Sequence, residues 1–72
     1  MIPLIIHHLE ARPFVPFDIV TSAGKNYHVA SPDHAHLSPK RTMVTVYFDD
    51  DGSVTLSALH IAAVEQRSGA AV

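Results

Sequence analysis

The 72-residue chain contains no cysteine, so neither a disulfide framework nor a thiolate metal site is open to it. It also lacks a positive surplus: five Lys and Arg against seven Asp and Glu give a formal charge of −2. A dedicated nucleic-acid binder normally carries a basic excess to neutralise phosphates. Here Arg12, Lys25, Lys40, Arg41 and Arg67 are scattered along the chain. Long hydrophobic runs are missing too. Crossing a bilayer takes roughly 20 apolar residues, whereas stretches such as "IAAV" at 61–64 end after a few. The opening "MIPLIIHHLEAR" has neither the basic start nor the small-residue cleavage site of a signal peptide. A cytoplasmic, bacterial-type protein without a membrane partner is expected.

The length allows one domain, spanning 1–72, and only a small core. A domain near this size buries about 60% of the surface its unfolded chain exposes, and such domains usually need a staple. With disulfides excluded, the remaining staples are oligomerisation, a histidine–carboxylate metal site, or an unusually efficient core. Oligomerisation is the commonest of these, so a homo-oligomer is expected.

Ile2, Ile5, Ile6 and Leu9 recur at the spacing of one helical face. Pro3 fits the first helical turn, and Pro13 ends the helix because the residue before proline is pushed out of the helical region. The spacing predicts a helix over residues 3–11, too short to be stable unless it docks on something. Beyond it, "FDIVTSAGKNYHV" reads as a hairpin, with Phe17 and Ile19 on one face and Gly24 free to take positive φ in the turn. "SPDHAHLSPKR" reads as a loop between two Ser-Pro pairs.

"TMVTVYF" is the strongest strand signal. Val44, Val46 and Phe48 face one way and Met43 and Tyr47 the other, as in a central strand. "DDDG" reads as a turn, "SVTLSAL" alternates strictly, and Ile61 to Val64 supply a last strand. The expected fold is mainly β: a small five-stranded SH3/Sm-like barrel over about 14–66, with a short N-terminal helix and a frayed tail at 67–72. Closing a sheet removes most exposed edges. The last strands would still present an edge on which a second copy, or another protein, could pair.

The densest cluster of chemistry-bearing residues is "HVASPDHAHLSP" at 28–39. Zinc takes three or four ligands, with neutral imidazole as the usual nitrogen donor. His28, Asp33, His34 and His36 are chemically adequate metal ligands. No spacing such as H-E-x-x-H supports them, so a polar loop is the preferred reading and no cofactor is expected. "DDDG" is not a calcium loop, because glycine comes at its fourth position and no Glu stands at the twelfth. No serine sits in a G-x-S-x-G elbow, and an enzyme is not expected. His7 and His8 point about 100° apart on the helix, which leaves one exposed and one at the boundary. His60, between Leu59 and Ile61, is expected to be half buried.

The outline R-P-F-x-P-F-x-I, glycine turn, V-x-x-P, L-S-P and L-x-A-L-x-I-x-x-V-E, over about residues 11–65, resembles a group of small uncharacterised bacterial proteins. That resemblance implies no activity. At the level of fold, the helix followed by five strands is similar to the Sm-like barrel of the bacterial RNA chaperone Hfq. Members of that family form rings through the edges of their last two strands. Where the family has its RNA-contacting Y-K-H, this chain has Ser57, Ala58 and Leu59, so no binding residue carries over. The expected function is a self-associating, non-enzymatic binding or assembly module. The alternative is an Sm-like nucleic-acid-binding ring using Lys25, Lys40 and Arg41.

Overall fold

The computed structural model describes residues 1–66. A helix α1 (Ile2–Glu10) is followed by β1 (Phe17–Thr21), β2 (Asn26–Val29), β3 (Ala35–Leu37), β4 (Met43–Tyr47), β5 (Ser53–Ser57) and β6 (Ile61–Glu65). Single 3₁₀ turns at Pro32–His34 and Ala58–His60 introduce β3 and β6. The strands form two antiparallel three-stranded sheets, ordered β2-β1-β6 and β3-β4-β5. The expectation of five strands closed into a barrel is therefore corrected to six strands in two open sheets. The extra strand lies inside the stretch expected to be a loop. The 3₁₀ turn separates β2 from β3, so the two belong to different sheets.

Helix α1 begins with Pro in its first turn and presents Ile2 and Ile5 to the core, with Ile6 and Leu9 packed at its margin. It ends where Ala11 turns extended. The Arg12 guanidinium then donates to the carbonyls of Leu9 (3.1 Å) and Ala11 (2.8 Å), supplying partners that the last helical turn lacks. The helix docks on its own chain: the His8 ring lies 5.1 Å from that of Phe17. His7 is exposed and His8 half-buried.

Between the sheets, Phe17, Ile19, Val29, Val44 and Val46 are fully buried together with Ile5 of the helix. Alternation places them there, since a strand sends every second side chain to the same face. Val54 and Leu56 of β5 also point inward, while Ser53 and Thr55 point out. On the outer face, Thr45 and Thr55 sit opposite each other in the β4–β5 register and share a hydrogen bond of 2.9 Å.

Phe48 does not share the burial of Val44 and Val46, with which the alternation groups it. Strand β4 stops at Tyr47, so Phe48 opens the hairpin turn and is left exposed. In that turn the Phe48 N–H donates to the Gly52 carbonyl (2.7 Å) and the Gly52 N–H to the Asp50 carboxylate (2.8 Å). Gly24, at φ +84°, closes the β1–β2 turn, as its freedom from a side chain permits. His60 is exposed rather than half-buried, because it ends a 3₁₀ turn instead of continuing a strand. The tail expected at 67–72 lies outside the described residues. No described helix is long and apolar enough to cross a membrane.

Candidate functional site

Two ends of the sheets differ in chemistry. At one end, β2 leaves its sheet and β4 enters the hairpin turn. Here His28, Ala30, Tyr47, Phe48 and Asp49 line an open pocket of about 200 Å³. Its aromatic walls are held from behind. The Phe48 ring stacks on Tyr27 of β2 at 6.4 Å and 17°. Tyr47 meets His36 of β3 edge-on at 5.7 Å. Gly52 leaves room for this arrangement, since a Cβ there would lie 3.2 Å from the Phe48 ring and 2.9 Å from the Asp50 carboxylate.

One carboxylate, Asp49, lines that pocket, and another holds its histidine. Asp18 of β1 lies opposite His28 and shares a hydrogen bond of 2.7 Å with its Nδ1. On the other side Asp18 faces Glu65 of β6 in register. Like charges placed directly opposite are unfavourable, and His28 gives Asp18 a compensating partner. Asp49 reaches His34 Nε2 at 3.1 Å, and its side chain is 94% exposed. Asp33, Asp50 and Asp51 stand on neighbouring turns.

The sequence-predicted ligands are distributed rather than gathered. His28 is turned to Asp18, and His34 to Ser31 (2.7 Å, through Nδ1) and Asp49. His36 lies exposed against Tyr47, and Asp33 is exposed in the 3₁₀ turn. Among the described residues no three His, Asp or Glu side chains come together in a form that could hold a metal ion. Of the four, only His28 lines the pocket.

The chain Ser31–His34–Asp49 has the membership of a nucleophilic triad, and sequence spacing gave no sign of it because 15 positions separate His34 from Asp49. Its geometry serves another purpose. A triad carboxylate is buried and holds the imidazole in a water-poor site, whereas Asp49 is in solvent. Ser31 is only three residues from His34 and caps the same 3₁₀ turn. The three residues tie the β2–β3 connection to the β4–β5 turn.

The opposite end is basic. The Ser22 N–H donates to the His60 carbonyl at 2.8 Å and the Ala58 N–H to the Thr42 carbonyl at 2.9 Å. The Ala58–His60 turn is thus strapped between the β1–β2 and β3–β4 turns. Those turns carry Lys25, Lys40 and Arg41, all exposed, so the structure brings the three predicted nucleic-acid contacts to one end. Arg41 sits at φ 58° in the β3–β4 turn. There the Ser38 hydroxyl accepts from the N–H groups of Thr42 and Met43, each at 3.1 Å. Leu59, 90% exposed, projects from the strapped turn between the basic ones. Comparison of the chain with protein-family models, with curated proteins and with solved structures returned no match.

Proposed function

We propose that this protein is a self-associating binding or assembly module, non-enzymatic and cytoplasmic, whose copies meet through the edges of β5 and β6. The observation that carries the reading is the β5 edge. Natural proteins blunt an exposed edge with charges, proline or a bulge. Strand β5 reads Ser-Val-Thr-Leu-Ser, lies at the edge of its sheet, and has none of the charges or prolines. It runs directly into Leu59, and the next strand, β6, is the edge of the other sheet. An uncharged edge strand beside an exposed leucine is suited to backbone pairing with an apolar seal.

The test is the solution mass of the untagged protein by light scattering, beside that of a Leu59→Lys, Ala62→Lys double variant. Both positions are exposed, so folding should survive the exchange. An oligomer that falls to the 7.8 kDa monomer in the variant supports edge pairing. A monomeric wild type overturns it.

A second reading, an Sm-like ring that binds nucleic acid, is favoured by one observation: the turns carrying Lys25, Lys40 and Arg41 are both hydrogen-bonded to the Ala58–His60 turn. Binding of a uridine-rich oligonucleotide that weakens with salt, by roughly one power of salt concentration per phosphate contact, would support it. No binding at low salt would end it.

A further inference from the structure

The two ends of this molecule are complementary to each other. Lys25, Lys40 and Arg41, three of the four Lys and Arg residues among the described ones, stand on the turns flanking Ala58–His60. Asp49 lines the pocket walled by Tyr47 and Phe48, Asp50 and Asp51 follow it in the same hairpin turn, and Asp18 lies against His28 of the pocket with Glu65 opposite it in register. An aromatic face beside a carboxylate is the chemistry that receives an ammonium or guanidinium group, through cation–π attraction and ion pairing together.

We infer that the acidic, aromatic end of one copy receives the basic end of another. A Lys25, Lys40 or Arg41 side chain lies over Tyr47 and Phe48 and reaches Asp49. The inference rests on the self-association proposed above but assigns it a second contact. Strand edges pair side by side, whereas this contact runs end to end. It is heterologous, one end of each copy against the other end of the next, so it extends to a closed ring or an open filament. Gly52 has a place in it. Without a side chain it does not crowd the Phe48 ring that stacks on Tyr27.

Sedimentation velocity on the full chain tests this with two variants, Asp49→Lys and Lys25→Glu/Lys40→Glu, all at exposed positions. The wild type should associate more extensively at about 0.01 M salt than at 1 M, where the screening length has shrunk from about 30 Å to about 3 Å. Each variant alone should associate at least tenfold more weakly. Mixed in equal amounts, the variants should regain association. The basic end of the Asp49→Lys copy meets the acidic end of the other, and at the exchanged ends the introduced lysine faces the introduced glutamates. Three outcomes overturn the inference: undiminished association of the single variants, no regained association in the mixture, or an acidic end that binds an unrelated basic peptide but not its own copy. If the charge variants still associate and the Leu59→Lys, Ala62→Lys variant does not, end-to-end docking falls and edge pairing stands. A wild type that is monomeric at every salt concentration removes both.

Discussion

Replacing Ile5 by alanine tests whether the N-terminal helix belongs to this core. Ile5 is fully buried against the inner faces of the sheets. The exchange removes three carbons, and at about 0.8 kcal/mol per buried methylene the lost transfer energy is about 2.4 kcal/mol. Incomplete collapse around the gap brings such exchanges into the range of about 2–5 kcal/mol. Alanine's better helix propensity returns a few tenths of a kcal/mol. A net loss of about 3 kcal/mol is expected, a large part of what a domain this small possesses. At about 4–8 °C per kcal/mol, the melting temperature should drop by at least about 12 °C. Circular dichroism at fixed protein concentration reads it, because self-association makes melting concentration-dependent. Leu4→Ala on the same helix is the control. Leu4 is 41% exposed, and its truncation should cost about 1 kcal/mol or less. Equal losses for the two would refute the docking of α1 on these sheets.

Three further perturbations follow from the turns and the histidines. Gly24→Ala meets nothing within 4 Å, so its cost is purely that of φ +84°. About 1–2 kcal/mol should be lost in urea titration, with Gly24→Asn milder. Gly52→Ala sets a Cβ 2.9 Å from the Asp50 carboxylate and 3.2 Å from the Phe48 ring. It should move Phe48 off Tyr27, seen as altered ring-current shifts of the Tyr27 resonances, and unchanged shifts would contradict the stacking. Chelation by EDTA should leave the melting temperature within about 2 °C, since His28 and His34 are turned to different carboxylates. A larger fall would mean that a metal holds the fold.

Where the sequence is periodic it is legible. Ile2, Ile5, Ile6 and Leu9 mark the helix face, and the alternation of Val54 and Leu56 with Ser53 and Thr55 marks β5. The position of β4 as a central strand follows from its β-branched run. Strand β3 escapes such reading because Ala-His-Leu between Ser-Pro pairs has little strand propensity of its own. It forms because Ala35 pairs with Val46 and is buried there, a tertiary cause that no local pattern displays. Phe48 differs from Val44 and Val46 for a related reason: alternation groups the three on one face, but alternation ends where the strand ends, at Tyr47. The acidic, aromatic pocket draws on β2, β4 and the connection between β2 and β3, so no contiguous motif announces it. The basic end is likewise assembled by two hydrogen bonds to the Ala58–His60 turn, across positions far apart in the chain.

The pairing of β1 with β6 governs how this chain comes to be folded. The first strand finds one of its two neighbours only in the last, from Asp18 against Glu65 to Thr21 against Ile61. The sheet that carries Phe17 and Ile19 is therefore not complete until the chain has been made as far as residue 65. Closing a loop of that span exacts its entropy before the contact rewards it, which slows folding relative to a chain built from neighbouring hairpins alone. During synthesis the β3-β4-β5 hairpins can pair as they emerge, while β1 waits with β2 as its sole partner. A nascent chain stalled before β6 leaves the backbone edge of β1 unpaired and the core without Ile61.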